Sequence, residues 1–129
     1  MGTINTKNAP TPVGPYNQAI VVGKGELVFL SGQIALDPAT GEVIGLGDVA
    51  KQTVRVMQNI EAVLESANVS WDNVVKTTVF LSDLNNFAVM NQIYAQYFKK
   101  EIAPARSCVE VSRLPKDVLI EIDCIAIKP

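Results

Sequence analysis

The chain has 129 residues, 48% of them apolar, with 11 basic and 13 acidic side chains, a net charge of −2 and no histidine. The missing histidine excludes a Ser-His-Asp triad and most zinc and iron sites, and the two cysteines, Cys108 and Cys124, are too few for a cysteine metal site or a disulfide framework. Basic residues are scattered rather than clustered, which argues against a nucleic-acid footprint, and no apolar run approaches the ~20 residues that span a bilayer.

Free thiols and an N-terminus without an apolar run suit a cytoplasmic protein with no signal peptide and no membrane association. One domain over residues 1–129 is expected, near the common size of ~100–150 residues. A mean hydropathy of +0.21 is slightly high for a free-standing domain this small, so part of the apolar surface is expected to lie against another subunit.

Taken in chain order, the Pro/Gly-dense segment Ala9 to Pro15 reads as an extended arm. Gln18 to Val22 and Glu26 to Ala35 read as strands around a Gly23-Lys24-Gly25 turn. Asp37 to Gly47 is turn-rich, with a short strand around Val43. Asp48 can cap a helix from Val49 to about Asn68, because Ala50, Val54, Met57, Val63, Leu64 and Ala67 recur near the helical period. Val74 to Leu81 is β-branched and strand-like. Asp83 or Asn85 can start a second helix to about Lys99, with Phe87, Met90, Tyr94, Tyr97 and Phe98 on one side. Ser107 to Leu114 and Val118 to Ile127 close the chain as strands joined across Pro115-Lys116-Asp117. An α+β domain follows, with two helices on one face of a mixed sheet.

Period-two alternation in the last strand turns Ile120, Ile122, Cys124 and Ala126 one way and Leu119, Glu121, Asp123, Ile125 and Ile127 the other. The second set mixes large aliphatics with carboxylates, and no third helix is available to cover it. Packing of subunits sheet against sheet is the simplest solution, so a homo-oligomer is expected.

Among residues able to do chemistry, Arg106 stands between Pro104 and a strand. A guanidinium there suits two-point capture of a carboxylate; a structural ion pair is the competing reading. Arg55 reads as part of a solvated helix face. Glu121, flanked by Ile120 and Ile122, could orient or deprotonate a water, or pair with a cation of a neighbouring subunit. Asn91 interrupts an apolar helix stripe and must be hydrogen-bonded, either as a helix-to-sheet link or to a ligand. Tyr16, after Gly14-Pro15, could cover a pocket or anchor the arm. Cys108 has no histidine or lysine near in sequence to activate it, and a buried inert role fits as well. The glycines between Gly23 and Gly47 form no phosphate loop.

The segments GPYNQAI (Gly14–Ile20), SGQI (Ser31–Ile34), VVKTTVFLSDL (Val74–Leu84), PARSCVEV (Pro104–Val111) and RLPKDVLIEIDCIAI (Arg113–Ile127) together resemble the RidA/YjgF family of 2-iminobutanoate/2-iminopropanoate deaminases. The resemblance covers nearly the whole chain in order. It implies a chorismate-mutase-like domain with a mixed six-stranded sheet, assembled as a homotrimer around a central barrel with clefts between subunits. It also implies cofactor-free and metal-free hydrolysis of 2-enamine and 2-imino acids to 2-keto acids and ammonia. In that scheme Arg106 grips the substrate carboxylate with help from the Cys108 backbone N–H, and Glu121 positions the hydrolytic water. The Gly32 backbone faces the imine nitrogen, Tyr16 lines the pocket, Ser31 and Asn91 lie near it, and Phe87 enters from the neighbouring subunit. Asn17 and Leu30 are expected to tune side-chain preference. Two other readings stay open: an endoribonuclease or translation inhibitor, and a non-catalytic regulatory trimer that binds small acids.

Overall fold

A computed structural model describes all 129 residues. The chain runs β1 (Gly2–Ile4), β2 (Ala19–Val21), β3 (Glu26–Gln33), α1 (Val49–Ser66), β4 (Val74–Leu81), α2 (Phe87–Ala95), β5 (Ala105–Glu110) and β6 (Ile120–Lys128). The six strands do not form one sheet. They divide into a four-stranded sheet of order β3-β6-β4-β5 and a separate β1-β2 ribbon. Within the larger sheet β4 and β5 are parallel and the other pairs antiparallel.

The arm explains the division. Gln18 accepts from the Thr6 N–H at 2.7 Å and donates to the Pro10 carbonyl at 2.8 Å. Asn5 receives the Gln18 N–H at 3.1 Å. These local bonds fold the N-terminus back on itself, so β2 takes β1 as its partner instead of β3. Around Val43 only a single bridge to Leu36 forms.

Asp48 sits in extended backbone before α1, and its carboxylate accepts the Lys51 N–H at 3.0 Å, the expected N-cap. The buried stripe of α1 comprises Gln52, Thr53, Val56, Met57, Ile60 and Leu64. Helix α2 ends at Ala95 rather than near Lys99. Asn17 donates to the carbonyls of Lys100 (3.2 Å) and Ala103 (2.8 Å), and Pro104 holds Ala103 in extended backbone, so the segment turns before β5. The last two strands also differ at their joint. Strand β5 ends at Glu110, and positive φ at Lys116 and Asp117 makes a turn of Pro115–Asp117, so β6 starts only at Ile120.

Both helices pack on one sheet face. There Leu30, Val79, Leu81, Ile120, Ile122 and Cys124 meet Met57, Ile60, Leu64, Met90 and Tyr94 in a single core. On the opposite face nothing in the chain covers the sheet. Phe29 is 70% exposed, Leu27 53% and Val109 40%, beside the half-buried Phe80, Ile125, Glu121 and Asp123.

Candidate functional site

Two groups of side chains form, on opposite faces of the sheet. The first centres on Arg106. Its place in β5 is opposite Thr77 of β4, which faces the helices. The Thr77 hydroxyl shares a 2.7 Å hydrogen bond with the Tyr94 hydroxyl of α2, fully inside the protein. That bond fixes the Tyr94 ring under the guanidinium, whose carbon lies 4.8 Å from the ring centre. Tyr16 and Phe87 flank the same carbon at 5.5 Å each. Asn91 completes the enclosure by accepting a 2.7 Å hydrogen bond from Arg106 Nη1.

This cage leaves the charge of Arg106 unspent. The ion pairs of the chain are Lys99–Asp72 and Arg113–Asp117, so the structural ion pair considered for Arg106 does not form. Aromatic faces stabilise a guanidinium by attraction to their π electrons without consuming its N–H donors. Apart from the bond to Asn91, those donors remain available for a carboxylate, which guanidinium binds two-point. Burial raises Tyr94 to about 12, so its hydroxyl stays protonated at neutral pH.

Gly14 brings the arm against this group. A Cβ there would stand 3.1 Å from Arg106 Nη2, 3.6 Å from Tyr16 Cε2 and 3.7 Å from Asn91 Oδ1. Cys108 follows two residues after Arg106 on the same strand and is half-buried. Burial pushes its thiol above the ordinary cysteine value, and the nearby Arg106 charge opposes this without reversing it. A protonated thiol is a poor nucleophile. Because β5 is an edge strand, part of its backbone faces outward and can serve a ligand.

The second group centres on Glu121. It lies opposite Phe80, on the uncovered face, and makes no hydrogen bond or ion pair within the chain. The β3–β6 pairing is irregular between Leu30 and Gln33, where Ser31 and Gly32 are exposed. A Cβ on Gly32 would overlap Glu121 Oε2 and stand 2.8 Å from its Cδ. Only glycine lets the carboxylate rest on the backbone here.

Tyr16, Phe87, Asn91, Arg106 and Cys108 thus gather on one side of the sheet, and Ser31, Gly32 and Glu121 on the other. A single chain does not unite them, and none of its larger hollows is lined by Arg106 or Glu121. Phe87 lies against the Arg106 of its own chain. Asn17 and Leu30 are not placed to tune a pocket: Asn17 is buried and bound to the turn before β5, and Leu30 is core. Gly14, Thr77 and Tyr94 were not singled out from sequence. Their signal was present, as a glycine in the GPYNQ segment and two hydroxyls on otherwise apolar stripes. No three cysteine, aspartate or glutamate side chains converge as metal ligands would.

A mixed sheet backed by two helices, with an unpaired arginine caged at its edge, defines the frame of a small α+β protein. Comparison with known proteins makes the assignment narrower. The family model described as Endoribonuclease L-PSP matches residues 6–128. A RutC family protein of Synechocystis is 58% identical, covering 100% of this chain and 98% of that protein. The 2-iminobutanoate/2-iminopropanoate deaminase of Escherichia coli K12 is 48% identical, covering 98% of this chain and 97% of its own. The crystal structure of Escherichia coli TdcF with bound serine superposes with a TM-score of 0.73 at 43% identity, covering 100% of both chains. The chain belongs to the RidA/YjgF family. No helix is long and apolar enough to cross a membrane.

Proposed function

We propose that this chain hydrolyses reactive 2-imino and 2-enamino acids such as 2-iminobutanoate and 2-iminopropanoate, releasing 2-keto acids and ammonia. The observation that carries this reading is Arg106, immobilised by Asn91 and three aromatic rings yet paired with no acid. Support for the substrate class comes from the 48% identical deaminase.

In the proposed reaction Arg106 holds the substrate carboxylate, with the Cys108 backbone N–H beside it. The imine carbon, already electrophilic, then sits where a water can reach it. Glu121 accepts a proton from that water as its oxygen bonds to carbon, giving a carbinolamine. The same carboxylate returns the proton to nitrogen. Collapse of the carbinolamine, with Glu121 taking the hydroxyl proton and passing it to nitrogen, breaks the C–N bond and leaves a 2-keto acid and ammonia. The Gly32 backbone faces the nitrogen throughout.

The opposite-face placement of Arg106 and Glu121 favours a site made by two chains. In a closed ring built on the exposed Leu27, Phe29 and Val109 face, the Arg106 group of one subunit meets the Glu121 group of its neighbour. A homotrimer with these faces lining a central barrel satisfies that condition and covers the apolar surface.

The test is release of 2-oxobutanoate in an assay coupled to a dehydratase that generates the imine. Charge-assisted hydrogen bonds contribute about 1.5–3 kcal/mol each, so losing two in Arg106→Ala should lower kcat/KM about 10²- to 10⁴-fold. Undiminished turnover in that variant overturns the reading. Glu121→Gln should lose turnover while retaining affinity for 2-oxobutanoate. The description of the matching family model favours ribonuclease activity as a second reading. Against it stand the net charge of −2 and the absence of histidine. Titration with single-stranded RNA at physiological salt separates the two.

A further inference from the structure

Arg55 has the same unspent charge as Arg106, and although it borders a hollow that Gly32 also lines, the proposed reaction gives it no role. Its Nε and Nη2 donate to Asn59 Oδ1 at 3.0 and 2.8 Å. Asn59 is clamped in turn, because its Nδ2 donates to the carbonyls of Ile34 (3.2 Å) and Leu36 (3.0 Å). The guanidinium is therefore oriented by an amide, not neutralised by an acid. Of the three arginines, only Arg113 has a carboxylate partner.

One helical turn before Arg55, on the same face of α1, stands Lys51, which has no ion pair either. Like charges four residues apart on a helix repel mildly, so the pair gains from any anion placed between them. Asp48 is occupied at the helix N-cap. Beside the two cations lies a groove of about 420 Å³ walled by Ile44, Ala50 and Val54, with Ile93 of α2 on the far side and Gln58 among its polar groups. The Ile44 wall is held in place, since the Ile44 N–H donates to Ala35 O at 2.8 Å and Gln52 Nε2 to Gly45 O at 3.0 Å. The volume is within the usual range of small-molecule sites, ~300–1,000 Å³. The groove lies on the helix layer, away from the exposed Leu27, Phe29 and Val109.

We propose that this groove is a second acid-binding site, which takes an aliphatic monocarboxylate with its head group on Arg55 and Lys51 and its chain along Ile44, Val54 and Ile93. Two cations and an aliphatic wall call for an acid with an apolar tail. The short, polar imino acids proposed for Arg106 would leave most of that wall uncovered.

The probe is octanoate, titrated by calorimetry and by methyl NMR with 2-oxobutanoate present to occupy Arg106. Saturable binding is expected, with shifts at Ile44, Val54 and Ile93 and affinity rising up to about fourfold per methylene from butanoate to octanoate. Arg55→Gln and the groove-filling Val54→Trp should each weaken binding at least about tenfold with circular dichroism unchanged, whereas Arg106→Ala should leave it unaltered. Absence of saturable binding at millimolar octanoate overturns the proposal. So do binding that is lost in Arg106→Ala but kept in Arg55→Gln, and shifts confined to the Phe29 and Ile125 face. Because Arg106→Ala is scored here by octanoate and not by turnover, failure of this site is distinguishable from failure of the deaminase reading.

Discussion

Mixing two inactive variants tests whether the site is shared between chains. Thr77 and Cys124 share one sheet face with Arg106, while Phe80 and Glu121 share the other, so the two groups cannot meet within one domain. In a ring, each site takes Arg106 from one chain and Glu121 from the next. Arg106→Ala alone and Glu121→Gln alone then inactivate every site. After random co-assembly in equal amounts, an intact site needs an Arg106-bearing chain followed by a Glu121-bearing chain. Each condition holds half the time, so about a quarter of sites regain both groups, whatever the ring size. The assay is 2-oxobutanoate release from denatured and co-refolded variants, with native mass spectrometry to verify mixed rings. Mixed rings that stay as inactive as the parents would refute the shared site, and with it the reading of the uncovered face.

Gly14→Ala should fold normally, because Gly14 does not occupy positive φ, and should gain about 0.4–1 kcal/mol in urea unfolding from reduced unfolded-state freedom. Its Cβ at 3.1 Å from Arg106 Nη2 displaces the guanidinium by a few tenths of an ångström, so KM should rise several-fold; an unchanged KM would show that the arm does not set the arginine's position. Gly32→Ala expels the Glu121 carboxylate from its seat, and kcat should fall while 2-oxobutanoate affinity, measured by calorimetry, is retained. Tyr94→Phe leaves the Thr77 hydroxyl buried without its partner and should cost about 1–3 kcal/mol at neutral pH. Tyr94 ionises at about 12 in the folded chain against 10.0 for an ordinary tyrosine, so above pH 10 the unfolded state releases this proton first. Wild-type stability should therefore fall relative to the phenylalanine variant by up to about 3 kcal/mol as pH rises through that interval, and parallel urea-unfolding curves would contradict it.

How far the fold was legible depended on which interactions are local. Asp48 and the apolar period after it specify α1 within one stretch of chain, and the alternation from Ile120 to Ala126 specifies β6 and its two faces. The path of the chain from α2 into β5 was not legible, because Asn17, more than eighty residues away in sequence, holds the carbonyls of Lys100 and Ala103. Strand β2 was expected within Gln18 to Val22, but its partner β1 was missed, because three residues, one of them glycine, carry no strand signal of their own.

By itself the sequence determined the family, the sheet-and-helix class and the short roster of residues able to do chemistry. Those properties are written in composition, spacing and motif. Only the tertiary structure decided what each charged residue is free to do. Arg106 and Arg55 had each looked capable of an ordinary structural role. Both instead take an asparagine oxygen as partner, which orients a guanidinium while leaving its charge for something else. Pairing is a matter of distance between elements far apart in sequence, and so is the separation of Arg106 from Glu121 by the thickness of a sheet. Neither can be read from a chain whose strands have not yet been put in register.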